Sequence, residues 1–168
     1  MLGKVTSILL VLLAVSELTM GQSPHDVTID IANTLDMKFV NGTSAIQNIA
    51  LTSSTDLGDG KEKANAAQLQ VRTNLNWKLM VSAGFPIFSY FGSVVNPNMP
   101  ASVLTFRKSG AATYSALSYD TPVELATGSP GDYTDTGHEI NVDYLVDSGY
   151  DYPAGLYFIN VFYTASEQ

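Results

Sequence analysis

The chain has 168 residues, no cysteine, and 16 acidic against 8 basic residues, for a net charge of −8. That length supports one domain with a proper core and no need of disulfide or metal staples. The acidic balance argues against nucleic acid and anionic membrane surfaces as partners. Charged residues are only 14% of the chain, so its polar surface rests on Ser, Thr, Asn and Gly, which suits an exported β-protein.

The first 21 residues, "MLGKVTSILLVLLAVSELTMG", have the layout of a cleaved secretory signal peptide. Lys4 precedes an apolar run from Ile8 to Val15, and Thr19 and Gly21 supply the small residues before a cut at Gln22. The run is too short for a spanning helix, and Glu17 follows it closely. No cysteine stands at the cut, which removes a lipoprotein signal. Residues 22–168 then form a single domain with no membrane span, located in the periplasm, on the cell surface or outside the cell.

After "QSPHD", the stretch "VTIDIA" alternates Val27, Ile29 and Ile31 against Thr28, Asp30 and Ala32, the pattern of a half-buried strand. "LDMKFV" (Leu35 to Val40) predicts a second strand, closed by a turn at Asn41–Gly42–Thr43. "AIQNIALTS" predicts a third, and "STDLGDGKEKANA" a polar loop. "AQLQVRTNLNWKLMVSA" carries Leu69, Val71 and Thr73 on one face, then Trp77, Leu79, Val81 and Ala83. It predicts either two strands meeting at a short turn or one long bulged strand. Pro86, Pro97 and Pro100 make residues 84–102 a long loop or irregular edge. Strands are predicted at Val103 to Phe106, within "AATYSALSY", at Val123 to Leu125, and at "HEINVDYLVD", which alternates Ile140, Val142, Tyr144 and Val146.

"PAG" (Pro153 to Gly155) turns the chain into a final strand. Tyr157, Ile159 and Val161 face the core in this reading, and Leu156, Phe158 and Phe162 point outward. An outward apolar row is either covered by another part of the chain or is an assembly face. The total is about nine or ten short strands and no convincing helix after the leader, the pattern of an all-β sandwich or barrel.

Two of these stretches resemble a family. "LQVRTNLNWKLMVSA" is similar to the N…W-x-L-x-V strand pair of immunoglobulin-like surface and pilus subunits, through Asn76, Trp77, Leu79 and Val81. "YPAGLYFINVFYTA" is similar to their final strand, through Pro153, Ala154, Gly155, Tyr157, Val161 and Thr164. Bacterial fimbrial subunits without disulfides, spore-coat-U-like proteins and WxL-type domains carry versions of it. The resemblance implies an immunoglobulin-like β-sandwich of about 8–10 antiparallel strands on or outside the cell envelope. It also implies subunits joined by a donated strand, which satisfies an open sheet edge. Val27, Ile29 and Ile31 are the candidate donor or edge strand. A chaperone–usher subunit normally lacks its own last strand, whereas this chain ends on a strong one, which favours a self-complete domain.

No catalytic constellation is present. His25 and His138 have no second ligand at metal spacing, and each reads as a solvated or turn histidine. No Gly-x-Ser-x-Gly elbow occurs. Asp56, Asp59 and Glu62, like Asp132, Asp135 and Glu139, lie in acidic loops without the ligand order of a calcium loop. Nothing implies a cofactor. Asn41–Gly42–Thr43 matches a glycosylation acceptor but reads first as a turn.

The expected function is a non-enzymatic structural or adhesive envelope protein, a fimbrial or surface-assembly subunit. Its partners are other envelope subunits, copies of itself included. The alternative is a carbohydrate-binding module that stacks sugars on loop aromatics, with Tyr90, Tyr133, Tyr150 and Tyr152 as candidates.

Overall fold

A computed structural model describes residues 27–43 and 46–168. The leader at 1–21, the polar lead at 22–26 and His25 lie outside the described residues. Two compact units are distinguished, residues 1–31 and 32–168. Of the first, only Val27 to Ile31 is described. It forms no strand, and Val27, Ile29 and Ile31 are 70%, 78% and 75% exposed. The half-buried strand expected there is therefore absent. Alternation gives a strand one apolar face, but burial needs a neighbour, and among the described residues no strand pairs with this stretch.

The second unit is all-β. Its ten strands are β1 (Leu35–Phe39), β2 (Lys61–Thr73), β3 (Trp77–Ala83), β4 (Ser89–Phe91), β5 (Leu104–Lys108), β6 (Ser115–Ala116), β7 (Val123–Gly128), β8 (Glu139–Val146), β9 (Leu156–Phe158) and β10 (Val161–Glu167). They form three antiparallel sheets, ordered β1-β2-β8-β5-β6, β10-β3-β7 and β4-β9. One core takes Leu69, Val71, Ile140, Val142 and Phe106 from the first sheet and Trp77, Leu79, Val81 and Ala126 from the second. This arrangement fits a β-sandwich. Among the described residues, no helix is long and apolar enough to cross a membrane.

The β2–β3 stretch is two strands, and the short link between them passes from the first sheet to the second. Asn74 fastens that link. Its Oδ1 accepts from the Thr34 amide at 2.9 Å, and its Nδ2 donates to the Ala32 carbonyl at 2.9 Å. The inward residues named from alternation, Leu69, Val71, Thr73, Trp77, Leu79, Val81 and Ala83, are all buried. The Asn41–Gly42 turn also forms. Both residues have positive φ, 55° and 71°, and the Thr43 amide closes on the Val40 carbonyl at 3.1 Å.

Three other expectations fail. Residues 46–53 contain no strand. Gln47, Ile49 and Leu51 are half-buried in alternation, but the backbone there is irregular. The polar loop expected at 54–66 is instead a short helix α1 (Ser54–Asp59) followed by the start of β2. Ser53 caps α1 by accepting the Asp56 amide at 3.0 Å, and Gly60, at φ 79°, ends it. The final strand is broken in two at Ile159–Asn160. Its face assignment survives the break: Tyr157, Ile159, Val161 and Tyr163 pack on the core, while Leu156, Phe158 and Phe162 are exposed.

Candidate functional site

Two strands sit at facing sheet margins. β1 is an edge of the five-stranded sheet and β10 an edge of the three-stranded one. Where they approach, the Phe39 and Tyr163 rings meet edge to face at 5.7 Å. A groove of about 890 Å³ opens there. Phe39 of β1, Ala66 and Ala67 of β2, Tyr144 and Val146 of β8, and Val161 and Tyr163 of β10 line it. Segments 46–51 and 152–160 form its flanks.

The lining is mainly apolar, with Thr43, Gln47, Asn48, Ser148, Asn160 and several tyrosines as its polar members. The most buried of these is a pair of phenols. The Tyr144 and Tyr163 hydroxyls lie 2.7 Å apart. Burial pushes both phenols up from their ordinary range, Tyr163 furthest, with Tyr144 beside it adding to the shift. The pair therefore stays neutral, with one hydroxyl donating to the other. β10 pairs with β3 from Val161↔Ala83 to Glu167↔Trp77, and among the described residues no strand pairs with its other side.

The β4–β9 ribbon walls one side of this region. Its register, Ser89↔Phe158, Tyr90↔Tyr157 and Phe91↔Leu156, gives it two unlike faces. Tyr90 and Tyr157 meet at a tilt, with ring centres 4.9 Å apart, on the half-buried face. Phe91 and Leu156, each 63% exposed, and Phe158, 42% exposed, share the other.

The sugar-stacking candidates do not form one platform. Tyr90 and Tyr152 both pack on Tyr157, and the Tyr90 hydroxyl donates to the Ala154 carbonyl at 3.0 Å. Tyr133 has Lys38 at 3.8 Å and Arg72 at 4.6 Å from its ring centre, and its hydroxyl donates to Asp36. Tyr150 is 70% exposed and donates to the Ser54 carbonyl at 3.0 Å.

Several of the acidic residues have partners of their own. Asp56 accepts from Lys61 Nζ and the Thr52 amide, both at 2.9 Å, and these hold its carboxyl far below the usual range. Asp135 accepts from the Asp132 amide at 2.7 Å. No group of three or more metal-ligating side chains occurs among the described residues.

Two polar centres escaped the sequence reading. Asp143 is 4% exposed and closes the β2 bulge: its Oδ1 accepts from the Asn65 amide at 3.0 Å and from Ser109 Oγ at 2.6 Å. Its Oδ2 accepts from Arg107 Nε at 3.2 Å, and Arg107 also reaches Glu62 at 3.3 Å. Burial pushes the Asp143 carboxyl up, but the bonds from Ser109, Asn65 and Arg107 outweigh it, and the net shift is downward. His138 is the second: of the two expectations, solvated or turn, it closes a turn, its amide donating to the Asp135 carbonyl at 3.0 Å, but it is not solvated. It is buried against Trp77, with Nδ1 2.7 Å from the Val71 carbonyl. Its neighbour Gly131 exchanges two backbone hydrogen bonds with Thr73.

Comparison with models of known protein families finds no match. Comparison with curated proteins finds no significant match either.

Proposed function

We propose that this chain is a non-enzymatic structural subunit of the cell envelope, exported through residues 1–21 and built as an immunoglobulin-like sandwich. Copies assemble by strand addition. The observation that carries this reading is the largely apolar groove beside β10, a strand paired on one side only among the described residues. An open edge offers unpaired backbone donors and acceptors, and the groove beside it offers apolar contact. An extended segment with alternating apolar side chains meets both needs at once.

Val27 to Ile31 of a second copy is such a segment. Its three apolar residues are at least 70% exposed, and it joins no ladder among the described residues. Burying each of these side chains contributes roughly 1.5–3 kcal/mol. The strong final strand, which argued for a self-complete domain, takes a different role in this reading: β10 is the acceptor edge.

The test compares residues 22–168 with a chain starting at Asn33, by size-exclusion chromatography with light scattering over a concentration series. A synthetic peptide of residues 22–32 is then added to the shorter chain. The longer chain is expected to form oligomers or fibres that grow with concentration. The shorter chain is expected to stay monomeric and to bind the peptide. A longer chain that is monomeric throughout, or a shorter chain that assembles equally well, overturns the reading.

A further inference from the structure

The exposed apolar face of the β4–β9 ribbon is unexplained by strand addition alone. Phe91, Leu156 and Phe158 share that face by register, and Phe162, 55% exposed, follows at the start of β10. Exposed apolar side chains gathered in this way mark a contact surface.

The distribution of charge narrows what the contact is. In a chain of net charge −8, the stretches Leu79 to Phe106 and Tyr152 to Ser166 contain no charged residue and no histidine. These are the stretches that build β4, β9 and most of β10. Two copies of an acidic protein repel each other wherever their carboxylates approach. They can touch closely only where both charge and unmet polar groups are absent. Interface centres are depleted in charge and enriched in aromatic residues for this reason.

The same composition disfavours other occupants. Phe and Leu side chains offer sugar hydroxyls no hydrogen bond. No cation lies in these stretches to meet a phosphate headgroup.

We infer that this face packs against the body of the neighbouring copy, the one whose strand enters the groove. This rests on the strand-addition reading and adds a second contact to it. Leu156 and Phe158 belong both to the groove lining and to the exposed face, so the two contacts are continuous. A lone five-residue strand is a thin joint. A stable, specific interface buries about 800 Å² on each partner, and an exposed apolar face beside the groove supplies area that the strand lacks.

The test uses Phe91→Asp in residues 22–168, beside Val27→Asp/Ile29→Asp/Ile31→Asp. Phe91 belongs neither to the groove lining nor to the acceptor strand β10, so strand capture can be read separately. The Phe91→Asp chain is expected to need about tenfold more protein to assemble. Below the assembly concentration, it is expected to bind labelled 22–32 peptide as the parent does and to keep the parent melting temperature. Assembly at the parent concentration overturns the proposal. So does pelleting of the parent chain with phosphatidylcholine vesicles that the substitution abolishes, which assigns the face to a bilayer. Assembly of the Val27→Asp/Ile29→Asp/Ile31→Asp chain at the parent concentration instead sinks the strand-addition reading. The two failures are thus distinguishable.

Discussion

The two ends of β10 live in different surroundings. At its C-terminal end, Glu167 pairs with Trp77, which is fully buried. The indole donates to the Ser129 carbonyl at 3.2 Å, His138 lies against it, and the backbone of Gly128 is close beneath it. At its N-terminal end, Val161 and Tyr163 look into an open groove. One end spends its packing and hydrogen bonds inside the molecule. The other leaves an edge, an apolar trough and a charge-free ribbon unspent. The difference separates what holds this fold together from what it has to offer a partner.

The closed end should be where single substitutions do most damage. Trp77 is fully buried, and Trp77→Ala is expected to cost about 3–5 kcal/mol. Gly128→Ala tests the same site from the other side. A Cβ there would lie 2.5 Å from the Trp77 ring. The expected cost is about 1–3 kcal/mol, since a packed ring cannot easily yield. Denaturant melts of both variants check this. Equal stability of parent and Gly128→Ala would show that the closed end is looser than its geometry says.

Acid should act on the polar frame of the fold rather than on the groove. The Asp143 carboxyl is held below its ordinary value, as are those of Asp56 and Asp36. A depressed carboxyl stabilises the fold above its unfolded-state value, near pH 4, and loses that contribution as pH falls through the folded value. The melting temperature is therefore expected to fall below about pH 4. Asp143→Asn should lower stability at neutral pH and flatten that acid slope. The groove phenols are raised, not lowered, and should add no pH dependence between 4 and 8. An unchanged acid slope in Asp143→Asn would remove Asp143 from the frame.

The closed end was also the more legible in the sequence. Period-two alternation through Leu69, Val71, Trp77, Leu79 and Val81 reports burial of one face, and these residues are buried on one face. The Asn41–Gly42 turn was readable because both residues tolerate positive φ. The same alternation misled at Val27 to Ile31 and at 46–53. Alternation records which face is apolar, not whether a neighbouring strand exists. Helix α1 was missed because six residues show no period, although Ser53 and Gly60 were plain cap signals. His138 and Asp143 are solvated by composition and buried by topology. The groove could not be read at all: it is assembled from β1, β2, β8, β10 and two flanking segments that only the fold brings together.

The groove floor gives a finer test of the comparison. Tyr144 and Tyr163 share one hydrogen bond inside an apolar lining. Tyr163→Phe leaves the Tyr144 hydroxyl buried with no partner, at an expected cost of about 1–2 kcal/mol. Changing both to Phe should recover most of that cost, because no orphaned polar group remains. A double-mutant cycle of stability then gives a coupling near 1 kcal/mol. A pair that behaved additively would mean that the hydroxyls meet water from the open groove rather than each other.

The smallest effect is expected at the outer face of the five-stranded sheet. There Tyr133 is latched by Asp36, with Lys38 and Arg72 against its ring. This is polar satisfaction at an exposed surface, where an ion pair gains little and salt screens what it gains. Both Arg72 and Asp36 are more than half exposed, and their 3.3 Å contact is a surface pair. Tyr133→Phe keeps the ring and its two cations but removes the hydroxyl that holds the Asp36 carboxyl down. The melting temperature should therefore change by no more than about 2 °C, and most of that change should vanish in 1 M salt. A larger loss, insensitive to salt, would mean that this loop contributes packing to the closed end rather than a surface latch.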